Sequence, residues 1–309
     1  MIWEQWLKPR IKLVGFDSMG TRGMATIIDT GTYKIVIDPG VSIAPRRYGL
    51  PPHDIELDHL EKYLSTIREE LLDADIAVIT HYHRDHYLYR KGEEIYYKDK
   101  VIFLKDPVRN INPSQKIRSY VLLNKMNVKN LARKVAIIDN KEYVLENIKI
   151  TGSPPVPHGK PRTKLGYVVM ILININEYRI LHASDVQGPI SRKALDYIVR
   201  MKPNLLIISG PPTYMVGTKI EQKYINKAFH NLVEIANKLP INSTIILDHH
   251  FMRDRNYRVY LEKLRKNIDK DRKIKLLTAA EYMGYEIKQL EAYRRELWEN
   301  DYAYINEKE

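Results

Sequence analysis

Apolar and polar positions in the first quarter of the chain alternate in short runs. Residues 11–16, 24–29 and 33–38 read as β-strands, and Thr30-Gly31-Thr32 between the last two is a turn signal that makes them a hairpin. Pro51-Pro52 breaks the chain. Beyond it Leu60, Tyr63, Leu64 and Ile67 recur at spacings of three and four, which predicts an amphipathic helix over about 58–72. The apolar run 76–80 reads as a buried strand. Asn112-Pro113-Ser114 marks a helix start, with Asn as cap and Pro at the first helical position. Strands are predicted near 134–138, 148–151, 166–173 and 178–184. Helices at 190–200, 219–238 and 256–267 then alternate with strands at 205–209, 243–248 and 273–277. Ile287, Leu290, Tyr293 and Leu297 share a face of a last amphipathic helix, about 286–299, which docks on the core or serves a dimer. Mixed strands early and helix–strand alternation late predict an α/β fold of two sheets back to back with helices outside. No repeat or low-complexity linker divides the chain, so residues 1–309 read as one domain.

Composition narrows the class. With 44% apolar and 28% charged residues, the 309-residue chain can bury a sizeable core and is not disordered or fibrous. There is no cysteine, which excludes disulfides, Cys-ligated zinc, iron–sulfur clusters and a thiol nucleophile. The longest apolar run, 167–173, is seven residues, far below the roughly 18–20 that span a bilayer. The N-terminal Met-Ile-Trp-Glu-Gln-Trp has no basic, apolar signal character. The expectation is a cytoplasmic protein without membrane partners, and the lack of Cys beside 22 Tyr hints at a thermophile. Net charge is +12, and residues 107–138 carry seven basic side chains and no acid. Such a stretch is a solvated surface or a face for phosphate-bearing partners, so nucleic acid stays open, as does an oligomer.

The informative chemistry is His81-Tyr82-His83-Arg84-Asp85-His86, three of the ten histidines within six residues, directly after a buried strand. Residues i and i+2 of an extended chain face one side, so His81 and His83 can grip one ion. Asp85 and His86, after the turn, are placed to face a second. Imidazoles and carboxylate without thiolate suit zinc, with iron or manganese as alternatives. Further ligands belong at other strand ends. Three positions fit: His158 on the proline-stiffened 154–159 loop, Asp185 after 178–184, and His249 with His250 after 243–248. If the last strand continues, His249 and His250 point to opposite faces and one of them binds. His182 reads as a hydrogen-bonded core histidine, while His53, His59 and His230 read as surface.

The order His-x-His-x-Asp-His, His, Asp, His, with Asp38-Pro39-Gly40 ahead of it, resembles the metallo-β-lactamase superfamily over about residues 11–255. Ser184-Asp185-Val186-Gln187-Gly188-Pro189 and Leu247-Asp248-His249-His250 are similar to an archaeal branch of predicted metal-dependent hydrolases. The resemblance implies a four-layer αββα sandwich and two divalent metal ions. It implies one ion on His81, His83 and His158, and a second on Asp85, His86 and either His249 or His250. Asp185 would lie between the ions, and Asp38 would orient a ligand imidazole. Asp248 is a candidate for fixing its neighbour's tautomer. A metal-bound hydroxide would then attack an ester, thioester, lactone or phosphoester, with Asp85 accepting a proton. Arg22 and Tyr214 are candidates for the substrate rim. The alternative is a phosphodiesterase acting on RNA or DNA. Against it, 249 − 185 leaves only 64 residues where β-CASP nucleases insert a further domain. Diiron redox members of the superfamily carry Glu where this chain has His83.

Overall fold

The computed structural model describes residues 9–299; the N-terminal segment read above for targeting lies outside them. Two sheets face each other. The first has six strands in the spatial order Arg10–Val14, Ala25–Asp29, Lys34–Ile37, Ile76–Ile79, Val101–Leu104 and Lys134–Ile137. Its first three strands are antiparallel and the rest run parallel. The hairpin pairs Thr26 with Ile37 and Asp29 with Lys34, as the turn signal predicts. The second sheet has seven strands, in the order Lys275–Leu277, Thr244–Asp248, Leu205–Ser209, Tyr178–Ala183, Ile171–Ile175, Ile148–Gly152 and Glu142–Leu145.

Strand periodicity sorts the core into layers. In the second sheet Leu205, Ile207 and Ile246 turn inward to join Ile35, Ile37, Ile76 and Val78 of the first sheet. Their neighbours Leu206, Ile208, Ile245 and Leu247 turn outward. There they meet Leu195 and Ile198 of the helix Arg192–Met201, Leu232 and Ile235 of Gln222–Lys238, and Leu261 and Leu264 of Tyr257–Asn267. On the other side Leu60, Leu64, Ile67 and Leu71 of the helix Asp54–Leu72 cover the first sheet. The result is the expected helix–sheet–sheet–helix layering.

The departures have local causes. The first helix begins at Asp54, four residues early, because His53 and Glu56 close a reciprocal cap: Ile55 N donates to His53 Nδ1, and His53 N donates to Glu56 Oε2 (3.0 Å). His53 is therefore a cap rather than a free surface residue. The run 166–173 is two strands. Tyr167–Val168 pairs with Val156–Pro157, and Ile171–Ile175 enters the large sheet; Val169 between them donates to Thr80 O across the sandwich (3.2 Å). The expected last helix over 286–299 is reduced to Arg294–Trp298. Lys288 bridges to Met19, its N–H donating to Ser18 O (2.7 Å) instead of to a helical carbonyl, and the Gln289 side chain donates to Met252 O.

Candidate metal centre

Strands that run parallel in each sheet end at one edge, and the loops leaving them supply the polar cluster. Ile76–Ile79 delivers Thr80, His81 and His83; Lys34–Ile37 delivers Asp38; Tyr178–Ala183 delivers Asp185; Thr244–Asp248 delivers His249 and His250. Asp38, Asp185 and His249 all take left-handed backbone, with φ of 50°, 50° and 58°. Non-glycine residues adopt this at a cost of about 1–3 kcal/mol each, and such strain clusters at functional sites. Here it turns the chain sharply off the strand ends. Gly40 has a steric reason: a Cβ there would lie 2.1 Å from Tyr87 N and 2.6 Å from His86 C, so only glycine lets the Asp38 turn rest on the His86 backbone.

Asp185 is the hub. Its Oδ2 lies 2.7 Å from His158 Nε2, 3.1 Å from His81 Nε2, 3.5 Å from His86 Nε2 and 3.7 Å from His83 Nδ1. Its Oδ1 lies 3.1 Å from His249 Nε2 and 3.4 Å from His250 Nε2. Asp85 Oδ2 approaches His249 and His86 at 3.8 and 3.9 Å. Ligand atoms of His81, His83, His158 and Asp185 all lie within 4.8 Å of one another, as do those of Asp85, His86 and His249. All eight sequence-derived ligand candidates therefore meet in one place. His83 and Asp85 are the partly exposed members, so the cluster opens to solvent on their side.

Two carboxylates orient the rings from behind. Asp38 Oδ2 accepts from His86 Nδ1 (2.9 Å) and from Thr80 Oγ1 (2.7 Å), and that hydroxyl stands 3.0 Å from His81 Nδ1. Asp17 Oδ2 accepts from His249 Nδ1 at 2.6 Å, while Asp17 Oδ1 accepts from Arg253 Nε at 2.5 Å. In each case a proton is held on Nδ1, so Nε2 is the nitrogen that faces the cluster. Asp248 differs from expectation. Its oxygens accept from the backbone N–H groups of Ser18, His249 and Ala279, so it caps main chain and fixes no tautomer. The carboxylate that meets the His249 ring is Asp17.

His249 and His250 also depart from the continuing-strand expectation. The strand stops at Asp248 and residues 249–253 form a tight 3₁₀ turn, so both rings reach Asp185 instead of opposite faces. They are not equivalent. His250 Nδ1 lies 3.0 Å from Arg253 Nη1. A guanidinium only donates, so this nitrogen accepts, and the ring proton is left on Nε2.

Burial holds the His81 ring neutral, its pKa lowered to about 3, and lowers His83 in the same direction. His86 is also buried, yet Asp85, Asp185 and Asp38 outweigh that and raise it well above the usual range. Burial would raise the two central carboxylates, but the surrounding histidines hold both well below the ordinary value. The donor set fits a cation on independent grounds. His81 Nε2, His86 Nε2 and Asp185 Oδ1 are buried and have no hydrogen-bond partner among the described residues. Each such orphan costs about 1–3 kcal/mol, and a divalent ion would relieve the cluster's unshared lone pairs and carboxylate charge together.

Other candidates fall where the fold puts them. His182 is a core histidine facing Met24 O at 2.9 Å. Arg22 and Tyr214 line a neighbouring cavity instead of touching the cluster; Arg22 forks onto Glu291 at 2.5 and 2.6 Å. Sequence reasoning missed Asp17, Thr80, Arg253 and Gln115, whose Nε2 stands 3.4 Å from His83 Nε2. Asp17 had one readable signal, a carboxylate three residues past the first strand, at the edge where the others gather.

The fold is the metallo-β-lactamase fold, and the imidazoles and carboxylates gathered at its strand ends are a donor set for divalent metal ions. The fold is similar to that of the metallo-beta-lactamase fold protein YhfI from Bacillus subtilis (TM-score 0.55, 13% identity, 88% of this chain and 97% of that one). It is also similar to the isothiocyanate hydrolase from Delia radicum gut bacteria (TM-score 0.52, 16% identity, 85% and 95% covered). In sequence the chain is 40% identical over 295 residues to the UPF0282 protein of the archaeon Metallosphaera sedula, covering 94% of this chain and 93% of that one. The chain belongs to the UPF0282 family. No family model matches it.

Asp17→Asn retains the size of the side chain but removes its charge from His249. It is expected to weaken metal binding about 10–100-fold, the usual cost of losing a carboxylate behind a ligand imidazole. Competition with a chromophoric chelator measures this, and unchanged affinity would remove Asp17 from the site.

Proposed function

We propose that this protein is a dinuclear metal-dependent hydrolase of a small ester, thioester, lactone or phosphoester in the cytoplasm. His81, His83 and His158 would hold one ion, Asp85, His86 and His249 the other, and Asp185 would bridge them. His249 is preferred over His250 because Asp17 holds the His249 proton on Nδ1 and turns Nε2 to the cluster, 3.4 Å from Arg253 Nη2, whereas Arg253 places the His250 proton on Nε2. The observation that carries the reading is the convergence of six imidazole nitrogens on the two oxygens of Asp185, those of His81 and His86 without a hydrogen-bond partner among the described residues. Zinc suits this donor set best, with iron or manganese able to replace it. When bound, two such ions ionise water near neutral pH and polarise the oxygen of the scissile bond.

The chain's residues supply position and proton handling. Asp38, acting on His86 and through Thr80 on His81, keeps ring nitrogens aimed inward. Asp85, on the open side of the cluster and held ionised by His86 and His249, can accept a proton from attacking water at Oδ2. The buried walls exclude bulk solvent and strengthen every charge interaction within. No helix among the described residues is long and apolar enough to cross a membrane.

A second reading is phosphodiester cleavage in RNA or DNA. The helix Pro113–Tyr120 brings Gln115 to His83, carries Lys116 and Arg118, and exposes Ile117 and Tyr120, a basic and apolar surface beside the cluster. Metal analysis with a panel of chromogenic esters, lactones and phosphodiesters tests both. About two ions per chain and turnover of a neutral ester or lactone insensitive to salt supports the first reading. A salt-sensitive mobility shift with RNA and bis(p-nitrophenyl) phosphate turnover supports the second. Protein that binds no transition metal would defeat both.

A further inference from the structure

Next to the centre lies a cavity of about 340 Å³ lined by Arg22, Arg46, Arg47, Tyr214, Lys219 and Arg253, together with apolar and hydroxyl groups but no carboxylate. Its size is within the roughly 300–1,000 Å³ of small-molecule sites. Two of its cations are neutralised from behind, Arg22 by Glu291 and Arg253 by Asp17. Arg46, Arg47 and Lys219 have no carboxylate partner among the described residues, so the cavity holds a surplus of three positive charges. Like charges around one hollow repel, and an anion placed among them would relieve that repulsion.

Arg46 and Arg47 stand on a built framework. Arg47 and Leu50 exchange backbone hydrogen bonds at 3.0 and 2.9 Å, closing a tight turn. The buried Arg294 donates to Ala44 O and Leu50 O and so pins both ends of that loop. The Arg47 guanidinium lies 4.6 Å from the Tyr214 ring centroid and 4.8 Å from that of Tyr48, and its buried Nε has no hydrogen-bond partner. Arg253 is the shared wall: its Nη1 touches His250 Nδ1 on the cluster side, and its side chain lines the cavity.

We propose that this cavity is an anion subsite that receives a phosphoryl group of the substrate while the bond to be cut lies over the metal centre. Three uncompensated cations, two of them arginine forks, match a group with two negative charges and three acceptor oxygens better than a monoanionic carboxylate. The assignment rests on the hydrolase reading and narrows it to a phosphorylated small molecule.

Calorimetric titration of inorganic phosphate into the metal-loaded full-length protein, its His83→Ala variant, and Arg47→Ala and Lys219→Ala tests the subsite without turnover. The expected result is one phosphate per chain, with binding weakened at least about tenfold in Arg47→Ala and in Lys219→Ala at unchanged metal content. Binding that survives in His83→Ala would separate the subsite from the ions. Phosphate binding unchanged by Arg47→Ala and Lys219→Ala would overturn the proposal, as would acetate binding as tightly as phosphate. A protein that turns over neutral esters but binds no phosphate sinks the subsite and leaves the hydrolase standing. Phosphate binding that depends on Arg47, in a protein inert to the whole substrate panel, does the reverse.

Discussion

His83→Ala is expected to lose about one metal equivalent per chain and to reduce hydrolysis by at least about a thousandfold while the fold survives. The ring projects from the loop after the strand Ile76–Ile79 toward Asp185 and is partly exposed, so its loss opens no core cavity. What is lost is a donor: Asp185 and His158 remain 2.7 Å apart, but the set around them is one nitrogen short. Activation of water and stabilisation of the oxyanion together supply several kcal/mol of barrier lowering, and each 1.36 kcal/mol is tenfold in rate. Metal analysis of the purified variant, read beside its circular dichroism, decides the matter. Unchanged stoichiometry and activity would show that the cluster is not the working centre. Asp185→Asn, which keeps the shape and removes the central charge, should retain one ion and lose the other.

Arg294→Ala is expected to cost about 3–5 kcal/mol of stability. Arg294 and Glu56 are both fully buried and joined by two hydrogen bonds of 2.8 Å. Glu56 also accepts from His53 N at the start of the helix Asp54–Leu72, so one carboxylate serves both the helix cap and the C-terminal segment. Removing the guanidinium leaves a buried charge without its partner, together with two unpaired carbonyls at Ala44 and Leu50. By contrast Arg90→Ala, which breaks the exposed pair with Glu61, should change stability by less than about 1 kcal/mol. Denaturant titration of the two variants measures the difference, and a loss below about 1 kcal/mol for Arg294→Ala would contradict the account. Replacing both Arg294 and Glu56 by apolar residues should recover only part of the loss, since the uncompensated charge goes but the Ala44 and Leu50 carbonyls and the His53 N–H lack their partners.

Much of the architecture could be read locally. The hairpin across Thr30-Gly31-Thr32, the Asn112 cap and the strand at 205–209 are fixed by periodicity and turn chemistry within a few residues, and the structure reproduces them. Local signals failed where distant partners competed. The segment 286–293 has helical periodicity, yet its Lys288 bridges to Met19 and its Leu290 packs against Gly20. The run 166–173 reads as one strand but changes partners at Val169.

The sequence by itself determined the donor types and their spacing: imidazoles two apart on an extended segment, a carboxylate and another imidazole just after, and no thiol anywhere. These are properties of covalent order and of the i, i+2 repeat, so they needed no coordinates. Only the tertiary structure decided which groups stand behind the rings, because Asp17 is 232 residues from His249 and Asp38 is 48 from His86. It decided likewise that Asp248 serves the backbone, and that Arg22, Arg47, Lys219 and Arg253 share one hollow. Contacts between segments so far apart follow from how two sheets stack and where their strands end, and no local pattern in the chain encodes that geometry.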